Sequence, residues 1–173
     1  MCGAMRGKSP ETEAVKHTDT NGAETDRLEV TVMSFGYKRG DAPSANAIFD
    51  VRFLKNPYWV EHLRPLTGLD KPVQDYVLEQ EPAQDFLTSI LDLTVKIIPQ
   101  FRHAKVKHFT IAFGCTGGQH RSTTIAENIA LSLAHFFPEA HVRVMHRELD
   151  EVADITADGG RHSHAGNNKE SGR

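Results

Sequence analysis

The feature that most constrains the fold is a nearly continuous apolar stretch, Val106 to Phe113 (VKHFTIAF), that runs directly into Gly114-Cys115-Thr116-Gly117-Gly118-Gln119-His120-Arg121-Ser122. A strand apolar on both faces suits the covered centre of a parallel sheet. After the loop, His120 to Phe137 reads as a helix with Ile125, Ile129, Leu131, Leu133 and Phe136 available for packing. Strand, glycine-rich loop and helix in this order place the loop where open α/β sheets bind ligands.

The rest of the chain supports that frame. Leu28 to Phe35 alternates and is β-branched, Ala47 to Phe53 reads as a second strand, and His141 to His146 as a last one. Between them, Asn56-Pro57, Arg64-Pro65, Thr67-Gly68 and Lys71-Pro72 interrupt the chain, leaving at most a short helix at YWVEHL. Val73 to Leu78 makes a helical turn or two. Pro82 to about Phe101 carries Phe86, Leu87, Ile90, Leu91, Leu93, Ile97 and Ile98 near a 3.6-residue period, which marks an amphipathic helix. The expected architecture is a three-layer α/β domain with a small, mostly parallel sheet and flanking helices. Residues 1–27 and 150–173 are polar and lack an apolar period, so both are expected to be disordered tails around a folded unit at 28–149.

Composition narrows the setting. The net charge of −3 gives no global attraction to nucleic acid or an anionic membrane. Cys2 and Cys115 are the only cysteines, one in an expected tail and one in the loop, which argues against a structural disulfide and for a reducing, cytoplasmic setting. No apolar run approaches the roughly 20 residues that span a bilayer, so no membrane association is expected. His103 and His108, or His162 and His164, do not form a closed metal-ligand spacing with other donors, so no metal or cofactor is expected.

A loop that leaves a strand and enters a helix presents backbone N–H groups without intrahelical partners, at the positive end of the helix dipole. That combination holds phosphate. Gly114, Gly117 and Gly118 allow close approach, Ser122 or Thr123 can cap the helix, and Arg121 offers a planar fork for two oxygens. A plain β–α connection with Cys115 packed as a small hydrophobe is the bland alternative. Cys115 and Arg121 also satisfy the Cys-x5-Arg spacing followed by Ser, the arrangement of cysteine-dependent phosphatases, in which a thiolate attacks a phosphoryl group. The acid that such chemistry needs is not identified by position, with Asp41, Asp50 and Asp70 as candidates.

Several polar clusters follow or end strands: SFGYK at 34–38, DVRFLKNP at 50–57, LRPLTGLDKPV at 63–73 and HREL at 146–149. Together with GCTGGQHRS at 114–122 and in this order, they make the chain resemble the C-terminal domain of the RapZ family, the RNase adapter proteins long described as nucleotide-binding. The resemblance spans nearly the whole expected folded region. It implies a domain that binds a phosphorylated amino sugar such as glucosamine-6-phosphate, forms homo-oligomers and presents small RNA to an endoribonuclease. It also implies a ligand-binding set of Lys38, Arg52, Asn56, Arg64, Thr67, Cys115, Thr116, Gly117, Gly118, Gln119, His120, Arg121, Ser122 and His146.

Two departures from the family pattern matter. No G-x-x-x-x-G-K-[ST] occurs in the sequence, so nucleotide hydrolysis through such a loop is not carried over. After HREL the chain continues Asp150-Glu151-Val152-Ala153-Asp154, which repels a phosphate backbone where RNA-binding members are basic. The remaining basic run, Arg102 to His108, reads either as a solvated helix end or as an RNA contact. Tyr58 and Trp59 are expected to serve as lid or core packing.

Overall fold

The structure, a computed structural model, describes residues 27–165. The expected disorder of residues 1–26 and 166–173 lies outside the described residues. Six strands form one sheet in the order β2-β3-β1-β4-β5-β6. β1 (Glu29–Gly36) sits between β3 (His108–Cys115) and β4 (His141–His146), parallel to both, and β2 (Ala47–Asp50) runs parallel along β3. β5 (Glu151–Ile155) and β6 (Arg161–Ala165) extend the sheet antiparallel beyond β4. The helices α1 (Lys71–Leu78), α2 (Glu81–His103) and α3 (Arg121–Phe136) flank the sheet. The class is α/β with a mostly parallel sheet, as the apolar strand and its following helix predict.

Packing follows the alternation of the strands. Val30, Val32 and Ser34 of β1 lie in register with Phe109, Ile111 and Phe113 of β3 and with Val142, Val144 and His146 of β4. All nine are buried, while the intervening Thr31 and Met33 are only half-buried. Each large apolar side chain fully buried here stabilises by about 1.5–3 kcal/mol relative to exposure. α2 begins with Glu81 and Pro82 in its first turn and ends with Arg102 and His103, matching both ends of its dipole. It buries Ala83, Leu87, Ile90, Thr94 and Ile98, and Phe86 and Phe101 meet Phe113 and Phe109 edge-on.

Three expectations are corrected. The second strand stops at Asp50 instead of reaching Phe53, because the Arg52 N–H and guanidinium both bond to the Asp50 carboxylate and turn the chain. Leu131 and Phe136 are exposed, since the buried stripe of α3 runs through Ser122, Ile125, Ala126, Ile129, Ala130 and Leu133 and passes them by. The segment from 150 is not a tail up to Ala165. It supplies β5 and β6, with Ala153 and Ile155 buried and a tight turn at Gly159, whose φ is +84°. Composition misses this because the ordering comes from ladder hydrogen bonds and from ion pairs of Asp154 and Arg161 with other strands and α3.

Ile155→Ala separates a packed strand from a tail. The expected result is a loss of about 2–4 kcal/mol in urea unfolding, against almost none for a residue in a disordered end.

Candidate functional site

β3 delivers Cys115 to the C-terminal edge of the sheet, opposite Gly36 of β1, and the next carbonyl, of Thr116, accepts from the Lys38 N–H at 3.1 Å. The Cys115 thiol is buried. Its Sγ accepts from the Gly118 N–H at 3.2 Å and lies 3.1 Å from Ser122 Oγ. Gly118 sits at φ +75°, and a Cβ there would stand 2.3 Å from Glu148 Cγ and 2.6 Å from the Gly36 nitrogen. Only glycine fits. Among the described residues, the N–H groups of Gly117, Gln119 and His120 have no protein acceptor. The first turn of α3 adds further N–H groups at the same place.

Arg121, the first residue of α3, is 4% exposed. Its Nη1 donates to the carbonyls of Arg52 and Leu54, both at 2.9 Å, and Nη2 donates to Thr116 Oγ1 at 3.2 Å. Nε has no partner, and among the described residues no carboxylate pairs with this guanidinium. His120 beside it is also buried, with Nε2 unpartnered. Burial pushes the His120 imidazole below its ordinary value and the Arg121 charge adds to that, against the pull of the neighbouring Arg64, Leu66 and Leu63 backbone.

The segment from 52 to 68 is therefore pinned to the loop at both ends. Arg121 holds its start, and the Gly68 N–H donates to the Gln119 carbonyl at 2.7 Å at its finish. Gly68 packs so closely that a Cβ would stand 2.4 Å from the His120 oxygen. Between the pins, the expected site residues are held by local contacts. The Arg52 guanidinium pairs with Asp50 and lies 4.4 Å from the Tyr37 ring centroid. Those Arg52 hydrogen bonds hold the Asp50 carboxyl below its ordinary value. Asn56 Oδ1 accepts from the Tyr58 N–H, Arg64 Nε donates to the Tyr58 carbonyl, and Thr67 Oγ1 donates to Asp70. Trp59 is 76% exposed and so belongs to no core.

The structure thus brings Cys115 to Ser122 together with the backbone of Lys38, Arg52 and Gly68. The side chains of Asn56, Arg64 and Thr67 bond locally and not to the loop, while the Arg64 backbone faces the His120 ring. His146 lies beneath the loop, fully buried, with Nδ1 on Ser34 and Nε2 on Glu127. Glu148 and Arg147 brace Gly36, one accepting from its N–H at 3.2 Å and the other donating to its carbonyl at 3.0 Å. Glu127 was missed by sequence reasoning, and Thr123 was read as a helix cap, whereas its hydroxyl donates to the Gly118 carbonyl. Their signal was present: two polar residues four apart, on the face of α3 that also carries Ala130 and Ala134. Among the described residues, no group of His, Cys, Asp or Glu side chains is arranged to hold a metal. No described helix is long and apolar enough to cross a membrane.

The family model of the RapZ C-terminal domain matches residues 28–150, from the start of β1 through the HREL segment. The chain belongs to the RapZ C-terminal domain family. It is 49% identical over 123 residues to a protein of Ruegeria sp. (strain TM1040) named as nucleotide-binding, covering 71% of this chain and 40% of that protein. It is 42% identical over 147 residues to nucleotide-binding protein YvcJ of Bacillus subtilis (strain 168), covering 85% of this chain and 48% of that protein. A nucleotide-binding protein of Corynebacterium glutamicum (strain R) is 45% identical over 121 residues. The chain spans less than half the length of these curated relatives. In relation to the RapZ family model, β5 and β6 lie beyond the matched residues.

Two outcomes test this geometry. Gly68→Ala is expected to lose about 1–3 kcal/mol on thermal unfolding, because the new methyl group meets backbone atoms that cannot move aside. His120 gives a pH signature. With its folded value depressed, the unfolded chain takes up a proton first as pH falls below about 6.5, so stability declines on the acid side. His120→Gln should show a shallower decline from neutral to mildly acidic pH in the same denaturant titration.

Proposed function

We propose that the Cys115 loop binds the phosphate group of a small phosphorylated ligand, an amino-sugar phosphate of the glucosamine-6-phosphate type, and that binding serves regulation. The observation that carries this reading is Arg121. It is a buried cation with an unpartnered Nε, placed at the N-terminus of a helix and paired only with neutral oxygens. A helix N-terminus repels a cation by its own dipole, so an anion there relieves two costs at once. The loop N–H groups supply further donors beside it. The name nucleotide-binding, carried by the relatives, adds nucleotides to the ligands that this site is tested against.

The enzymatic alternative has less support. A thiolate attack on a phosphoryl group uses the Cys-x5-Arg arginine to grip the transferred oxygens, whereas Arg121 Nη1 is committed to two backbone carbonyls. Cys115 acts in this reading as an acceptor that shapes the loop.

A second partner, RNA, is supported by a separate observation. A pocket of about 610 Å³ is lined by Arg27, Arg102, His103, Lys105 and Lys107, at the opposite edge of the sheet. Lys105 holds a φ of +58° at the end of α2, a conformation that glycine adopts more readily. Self-association, as the family resemblance implies, is part of the same reading and is measured by light scattering.

Differential scanning with glucosamine-6-phosphate, other hexose phosphates and nucleotides tests the primary reading. A ligand at about 100 times its dissociation constant adds ~2.7 kcal/mol to the folded state. No shift with any of them in a folded sample removes the proposal. Cys115→Ser should keep the stabilisation, and phosphatase activity in the wild type that this variant loses would favour the enzyme instead. For RNA, affinity should fall steeply with salt, and no binding at low salt eliminates that partner.

A further inference from the structure

The chain that leaves β1 bends between Gly36 and Asp41 before it runs on to β2. Little within the bend holds it. Its one helical turn, Tyr37–Arg39, buries no residue and has no side-chain cap, and Gly40 lies at φ +137°, a backbone conformation that other residues rarely adopt. The hold comes from Arg147, just past β4. Its Nη2 donates to the Gly36 carbonyl at 3.0 Å and its Nη1 to the Asp41 carbonyl at 2.6 Å, so one guanidinium staples both ends of the bend. Nε and Nη2 lie 2.8 and 2.7 Å from Glu148 Oε1, and that oxygen also accepts from the Gly36 N–H. The guanidinium lies 5.4 Å from the Phe35 ring centroid.

The stapled bend is pressed against the Cys115 loop. A Cβ on Gly36 would stand 2.6 Å from the Gly117 carbonyl carbon, and one on Gly114 would stand 2.5 Å from the Tyr37 ring. The Lys38 N–H donates to the Thr116 carbonyl at 3.1 Å. Two of these contacts are backbone against backbone, so where the bend lies is fixed relative to the loop. Glu148 joins the same packing, since a Cβ on Gly118 would meet its Cγ at 2.3 Å.

Lys38 rides on this bend. Its side chain is exposed, and among the described residues its ammonium has no partner. Because its own N–H is bonded to Thr116, the four-carbon stem starts at the loop and can carry the charge to an anion held there. Arg147 does not take that role, because all three of its guanidinium nitrogens are committed to Gly36, Asp41 and Glu148. It also cancels the Glu148 carboxylate, which unpaired would repel an anion from this side of the loop.

We propose that Arg147 is a positioning residue of the anion site: by stapling Gly36 to Asp41 it sets the bend as a second wall against the Cys115 loop and brings the Lys38 charge to the bound anion. The inference rests on the reading of that loop as an anion site and deepens it, since it gives the site a wall from the end of β1 and the HREL segment a task within it.

The test reads the staple and the site separately. Two changes remove the staple without leaving an unpaired charge. Arg147→Lys keeps a cation beside Glu148 but offers a point donor that does not span both carbonyls. Arg147→Met combined with Glu148→Gln removes both charges and leaves an acceptor for the Gly36 N–H. Amide hydrogen exchange without ligand reads the bend. The Lys38 amide should exchange faster in both, while Val32 in the middle of β1 keeps its protection and shows that the fold is intact. Lys38 exchange at the wild-type rate in either folded variant overturns the staple. Sulfate, a tetrahedral dianion, then probes the site. Lys38→Met and Arg147→Lys should each weaken its binding about fivefold, the worth of one exposed ion pair. Combined, they should still cost about fivefold, against about 25-fold for independent effects. Losses that multiply overturn the positioning role, as does unchanged sulfate affinity in either single variant. If the wild type binds no sulfate while Lys38 exchange responds to Arg147, the anion reading falls and the staple stands.

Discussion

Arg121 occupies a position that electrostatics disfavours twice, as a cation removed from water and as a positive charge at the positive end of a helix. The protein meets this with carbonyl oxygens. To supply them, the chain after β2 must bring the backbone of Arg52 and Leu54 against α3, which ends the strand early and starts the long connection to α1. The other end of that connection is tied by Gly68 to the residue before His120. One buried guanidinium thus links the sheet edge, the irregular 52–68 segment and the glycine-rich loop into a single unit.

The sequence carried the parts of this arrangement that depend on local pattern. The apolar run through Phe113, the glycines after it and the period of α2 each follow from spacing alone, and so the α/β class and the place of the loop were legible. What was not legible depends on distant partners. Nothing in Glu151 to Ile155 announces a strand until β4 offers an unpaired edge and Arg143 offers a charge for Asp154. Arg161 is equally uninformative until Glu127 and Glu151 are near it. His146 is the instructive case. The resemblance marks it as a ligand contact, and its position at the end of β4 agrees, yet both ring nitrogens face the interior.

Cys115 shows what a spacing fixes in the folded chain. The interval from thiol to arginine matches that of a phosphatase loop, and the sulfur does lie against a hydroxyl and a backbone N–H. Those same contacts close the loop on itself. With the thiol buried and the arginine turned toward backbone carbonyls, the sulfur is placed to fix the path of Gly118. Spacing sets which atoms can meet, and here it brings the thiol to the Gly118 N–H and the Ser122 hydroxyl.

The unpartnered donors are the remaining piece of the argument. A buried polar group without a partner costs on the order of 1–3 kcal/mol, and His120 Nε2 and Arg121 Nε are two such groups within adjacent residues. Packing alone would favour apolar side chains at both positions. Strain of this kind persists where the surrounding structure over-determines it, and here the pins at Arg52, Leu54 and Gly68 do so.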